Sequence, residues 1–348
     1  MTGSPILIVP YMWIGDFVRC HTLVRLLRER DPSRPIDVLA TTMIAPLLDY
    51  MPGVRKGILV DLPRKRLAVS KHRALAQRLR AEGYGQALIM PRTWKSALAP
   101  YLAGIPVRTG YAGEFRFGLI NDMRWGERRL PRMIDRCAGL ALAAGESFPN
   151  WPAPQLVVPP KEVRAWRERL GLAEPGRRVV ALAPGAVGPS KRWPAEYYAG
   201  LARALTAQGS AVWVTGSAAE ADIAAEICAA DPANVRDLTG RDLRNAILAL
   251  VAADLVISND SGLLHVAAAI GTPSVGIFGP TSPWHWAPLN PLAGTIETTS
   301  VLPCRPCHKP RCQLGHHRCM RDIPIDTVLR ETQRHLAELP EIVDAQVR

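Results

Sequence analysis

The segment Asn259-Asp260-Ser261-Gly262 sets an amide, a carboxylate, a hydroxyl and a glycine where an apolar run gives way to a small-residue helix. Free backbone N–H groups at a helix start, with the positive end of the helix dipole, suit an anion such as a phosphate. Gly262 lets the backbone approach such a group closely. A helix cap made by Asp260 or Ser261 is the plainer account of one of these residues. It does not account for His265 in the same helix, nor for the loop Gly279-Pro280-Thr281-Ser282 after the next apolar run. A ligand site is the expectation. A second loop, residues 184–194, carries Gly185, Lys191 and Arg192 ahead of Trp193-Pro194. It matches neither a Walker A loop nor a G-x-G-x-x-G turn, which argues against ATPases and nicotinamide enzymes. Its two cations suit a diphosphate; a solvated turn before a helix is the alternative. A third loop holds Gly216, Ser217 and Glu220. Glu220 is placed to accept a hydrogen bond from a sugar hydroxyl, or simply to favour a helix N-terminus. In the first half of the chain, Asp16 follows the first apolar run. It is either a general base, if its partner has a proton to lose, or the N-cap of a helix over 17–28.

Four cysteines, Cys304, Cys307, Cys312 and Cys319, fall within sixteen residues together with His308, His316 and His317. A structural zinc held by four thiolates is the expectation. Disulfides, free thiols and an iron–sulfur cluster stay open, because the spacing is not a common finger spacing. Cys20, Cys137 and Cys228 are isolated in apolar helical stretches and read as small buried hydrophobes.

The elements that must position these residues alternate. Apolar runs at 6–10, 36–40, 57–60 and 86–90 predict strands, separated by helical stretches at 17–28, 45–50, 70–82 and 96–103. A proline-rich passage over 149–160 marks a boundary. The alternation then restarts, with strands at 179–183, 211–215, 255–258 and 274–278 and helices between them. The pattern predicts an α/β protein of two doubly wound, Rossmann-like domains. The expected division is an N-terminal domain over 1–155, a C-terminal domain over 156–325 that carries the three candidate nucleotide-binding loops, and a helix and tail over 326–348. Ligands of such sheets lie at the carboxyl ends of strands, so a cleft between the domains is the expected site.

Of 348 residues, 48% are apolar, and no window predicts a membrane span or a signal peptide, so a cytoplasmic location is expected. Residues 1–150 carry 23 Lys and Arg against 12 Asp and Glu, whereas residues 151–348 carry 20 against 19. The excess therefore sits in the first half, as for a surface that meets an anionic partner. Nucleic acid is a poor candidate for that partner: stacking on bases needs aromatic side chains, which are only 6% of the sequence.

Taken in order, Gly15-Asp16, Pro184-Gly185 with Lys191-Arg192-Trp193-Pro194, Gly216-Ser217 with Glu220, and Asn259 to His265 resemble the lipopolysaccharide heptosyltransferases of glycosyltransferase family 9. The stretches at 94–98, 104–110 and 118–122 look most like the heptosyltransferase II group. The resemblance implies a GT-B fold and inverting transfer, without a catalytic cofactor, from ADP-heptose to a lipid-anchored lipopolysaccharide inner core bearing Kdo and a heptose. It implies Asp16 as catalytic base and Lys191 as the charge that neutralises the leaving diphosphate. Glu220 and Asp260 would hold ribose or heptose hydroxyls, and Gly262, Leu263 and His265 would line the diphosphate pocket with Gly185, Arg192, Gly216 and Ser261. The basic first domain would then be an acceptor platform, with Arg64, Lys65, Arg66, Lys95 and Arg116 meeting carboxylates and phosphates at the inner face of the inner membrane. A sugar-nucleotide 2-epimerase of the same fold is the alternative, and it would need no acceptor surface.

Overall fold

Short runs of aliphatic and β-branched residues become strands buried on both faces, as a parallel sheet covered by helices demands. In the computed structural model, residues 3–63, 67–143, 146, 150–174 and 176–340 are described, without the side chain of Arg128. The chain forms two units, Met1–Gln155 and Leu156–Arg348.

The first unit holds β1 (Ile6–Val9), β2 (Ile36–Ala40), β3 (Lys56–Leu59), β4 (Gln86–Ile89), β5 (Val107–Tyr111) and β6 (Asp122–Arg124), in the order β3-β2-β1-β4-β5-β6. All neighbours run parallel, with Ile6 level with both Ile36 and Gln86. The second unit holds β7 (Val179–Ala183), β8 (Ala211–Val214), β9 (Val235–Asp237), β10 (Leu255–Asn259), β11 (Ser274–Phe278) and β12 (Ala293–Glu297), in the order β12-β11-β10-β7-β8-β9. The two sheets share one topology. In each, the chain order reverses beside the first strand, between β1 and β4 and between β7 and β10. Such sheets bind ligands outside the carboxyl ends of the strands at that reversal.

Four strands, β5, β6, β9 and β12, lie beyond what the apolar pattern predicts. Each carries glycine or charged residues, such as Arg108 and Gly110 in β5 or Arg236 and Asp237 in β9. Three of them form sheet edges. An edge strand needs little apolar sequence, because neighbours cover only part of it.

The second core is built around Trp193, whose ring meets Tyr198 edge to face at 5.0 Å. The amphipathic helix Ile325–Ala337 adds Val328 to the same core. Among the described residues, no helix is long and apolar enough to cross a membrane.

Candidate active site

The helix Gly262–Ile270 begins immediately after β10, and its N-cap residue Ser261 makes no side-chain capping bond. Ser261 Oγ instead lies 3.0 Å from Ser258 Oγ. Asp260 does not cap the helix either: its Oδ2 accepts from Lys191 Nζ at 2.7 Å and from Thr281 Oγ1 at 2.7 Å. The plain cap that the sequence left open is therefore absent. A helix start without a side-chain cap at the carboxyl end of a central strand retains the anion-binding character of its first N–H groups. Gly262 and Leu263 are half-buried at this first turn, and His265 is buried one step further in.

Asn259 sets the neighbouring loop. It is fully buried. Its Oδ1 accepts from Trp193 N and from Tyr198 Oη, and its Nδ2 donates to Pro184 O at 2.6 Å. These bonds tie β10 to the loop after β7 and to the helix that follows it, so its role is positional. That loop ends in a tight turn at Pro189–Lys191, which presents the Lys191 ammonium to Asp260. The ammonium also lies 6.0 Å from the ring centroid of Trp286. An ammonium carries three donors, and Asp260 uses one of them.

Glu220 is more occupied than expected. Its Oε2 accepts from Ser217 N and Ser217 Oγ in a reciprocal cap, and its Oε1 lies 3.5 Å from Arg192 Nη2. Gly185 and Gly216 serve this carboxylate's packing: a Cβ on Gly185 would sit 2.8 Å from Glu220 Cδ, and one on Gly216 3.3 Å from Glu220 Oε2. The loops after β7, β8, β10 and β11 thus bring together Lys191, Arg192, Glu220, Asp260 and the first turn of one helix. Thr281 is the residue that sequence reasoning passed over. Its loop was visible, but a threonine beside a proline carries no mark of the oxygen it reaches.

In the first unit, the helix Ile14–Arg30 starts three residues before its expected position. Asp16 is therefore in the first turn, not at the cap, and its Oδ1 accepts from Arg19 Nη1 at 2.6 Å. Its side chain remains 17% exposed at the carboxyl end of β1. Two protonated neighbours feel its charge. Burial, and after it Glu127, Cys137 and Asp16, push the Tyr11 hydroxyl well above its usual range. Burial, and then Asp16, push the Cys137 thiol up to about 12. Both groups hold their protons at neutral pH.

The expected acceptor cations fare differently. Arg64, Lys65 and Arg66 lie outside the described residues. Lys95 is half-buried in the first turn of the helix Trp94–Leu102. Arg116 is a correction: it is 0% exposed, and its guanidinium donates to Pro91 O and Tyr111 O. It braces backbone carbonyls from inside the unit and offers no surface charge.

The cysteine loop also departs from expectation. All seven cysteines are free thiols. Among the described residues, no three His, Cys, Asp or Glu are grouped as metal ligands. Cys319 is drawn into the second core with Cys304 against it, and burial pushes its thiol up to about 11. Cys304 and Cys319 are taken up in packing against the second core, and the structure gives no support to the zinc site expected of the four thiols.

The pattern "Glycosyltransferase family 9 (heptosyltransferase)" matches residues 72–317. The chain is 36% identical to lipopolysaccharide heptosyltransferase 2 of Escherichia coli K12, over 94% of this chain and 97% of that one. It is 34% identical to lipooligosaccharide heptosyltransferase 2 of Haemophilus influenzae, over 96% and 99%. The solved structure of E. coli ADP-heptose LPS heptosyltransferase II superposes with a TM-score of 0.85 at 35% identity, over 96% of this chain and 99% of that one. On its sequence and on its two matching sheets, the chain belongs to glycosyltransferase family 9, the heptosyltransferases.

Proposed function

We propose that the protein transfers heptose from ADP-heptose to a heptosyl-Kdo-lipid A acceptor, as the second heptosyltransferase of the lipopolysaccharide inner core. One observation carries the reading: Lys191 and Thr281 meet on Asp260 at the start of a helix without a side-chain cap, at the chain reversal of the second sheet. That arrangement suits the diphosphate of a nucleotide sugar. The full-length similarity to heptosyltransferases of the second type supports heptose as the sugar and the inner core as acceptor.

The chemistry assigned is a single displacement with inversion. An acceptor hydroxyl oxygen forms a bond to the anomeric carbon, while the bond from that carbon to the diphosphate oxygen breaks and its electron pair leaves with ADP. Asp16 takes the hydroxyl proton. Lys191 and the helix N-terminus offset the charge that builds on the diphosphate, a stabilisation felt most as the bond breaks. Arg192 adds charge beside it, and Glu220 and Asp260 turn their remaining acceptor capacity to hydroxyls. No step is routed through a metal. The basic first unit and a lipid-anchored acceptor support work at the cytoplasmic face of the inner membrane.

Mass spectrometry of the acceptor after incubation with ADP-heptose tests the reading. The acceptor is expected to gain one heptose. An acceptor of unchanged mass, beside consumed donor, would overturn it.

A further inference from the structure

Among the described residues the cysteine-rich loop groups no three metal ligands, yet it is fastened to two of the loops that present the donor residues. On one side, Ser190 N donates to Pro310 O at 3.2 Å, and Ser190 Oγ donates to Lys309 O. His317 Nε2 lies 2.7 Å from Ser190 O. A carbonyl can only accept, so His317 is the donor and its Nε2 carries the proton. Gly188 fits against the same loop, since a Cβ there would stand 3.3 Å from Pro310 Cα. On the other side, His308 N donates to Pro280 O at 3.0 Å, and Arg305 Nε donates to Gly279 O. Ser190 directly precedes Lys191, and Pro280 directly precedes Thr281. The two fastened loops are therefore the ones whose side chains converge on Asp260 Oδ2.

The backbone points the same way. Among the described residues, His308 and His317 are the non-glycine residues with left-handed backbone, at φ 52° and 49°. Both are at the fastening points. A bulky residue held in this region is uncommon and persists where the surroundings over-determine it.

We propose that residues 305–317 act as a clamp that registers Lys191 against Thr281 and Asp260, with His317 as its principal positioning residue. The inference rests on the donor site proposed above. The clamp holds the Lys191 turn from behind, so its loss would let the ammonium drift from the diphosphate position without removing any group that touches the donor. Cys304 and Cys319, which flank this clamp, pack against the second core and fix its base.

Calorimetric titration of ADP into the full chain tests the clamp. His317→Gly removes the Nε2 donor and relieves the left-handed backbone, so its melting temperature should be equal to or above that of the wild type. ADP affinity is nonetheless expected to fall about tenfold, the loss for a bond of about 1.4 kcal/mol. His317→Gln, which keeps a donor of similar reach, should recover most of it. In the double variant with Lys191→Ala, His317→Gly should add nothing further, because it acts through Lys191. Unchanged ADP affinity in His317→Gly, or full additivity with Lys191→Ala, would overturn the clamp while leaving the donor site standing. Failure of the wild type to bind ADP would overturn the donor site itself, and the clamp with it.

Discussion

Lys191 and Thr281 reach the same oxygen. Each stands 2.7 Å from Asp260 Oδ2, one arriving from the loop after β7 and the other from the loop after β11. A carboxylate that is 5% exposed and receives an ammonium and a hydroxyl on one oxygen acts as a fixed reference point for both. It holds the lysine where the first turn of the neighbouring helix adds to its positive field.

Thr281→Val keeps the shape and removes the hydroxyl. Lys191 stays paired with Asp260, so the fold should persist. A hydrogen bond to a charged group contributes about 1.5 kcal/mol, and ADP affinity should fall about tenfold in calorimetry if Thr281 helps hold the site. An unchanged affinity would remove Thr281 from it.

Asp16→Asn keeps the size of the side chain and its place in the first helical turn, but it cannot take a proton. Transfer should fall by at least about a hundredfold, while ADP affinity and melting temperature stay close to wild type. Turnover within a few-fold of wild type would show that Asp16 serves only its pairing with Arg19.

Arg116→Met separates a brace from an acceptor contact. The arginine is buried and donates to Pro91 O and Tyr111 O. Removing it strands those carbonyls, so chemical denaturation should show a loss of about 2–3 kcal/mol. A variant of wild-type stability with weakened acceptor binding would return Arg116 to the acceptor surface.

His21 gives the first unit a pH dependence. It is fully buried, accepts from Gln155 N at Nδ1 and donates to Pro52 O. Burial, reinforced by Arg25, lowers its pKa from 6.5 to about 4. Folding thus favours the neutral ring. The stabilisation is complete above about pH 6.5, declines as the pH falls, and is lost below about pH 4. It amounts to about 3 kcal/mol. Melting curves of His21→Gln between pH 7 and pH 4 should fall less steeply than those of the wild type. Parallel curves would contradict the assignment.

The central strands and the donor loops were legible because each strand is a run of apolar residues and each loop breaks it with glycine, proline or charge. Asp260, Lys191 and Glu220 stood out as polar groups at strand ends. Their pairing did not, since the bond that joins their two loops runs from Trp193 N to Asn259, and these two look like ordinary core and turn residues in sequence. Arg116 shows the limit from the other side: an arginine between two phenylalanines reads as surface charge, and only the fold reveals the carbonyls that draw it inward. The cysteine spacing suggested metal ligation, but spacing records separation along the chain and could not show that Cys304 and Cys319 pack against the second core.

The most direct test of the account is the rate of ADP release from ADP-heptose with and without a heptosyl-Kdo-lipid A acceptor, in the wild type and in Lys191→Ala. The account predicts release that depends on the acceptor and falls about a hundredfold or more in Lys191→Ala. Equal rates with and without acceptor, or wild-type release from Lys191→Ala, would contradict it.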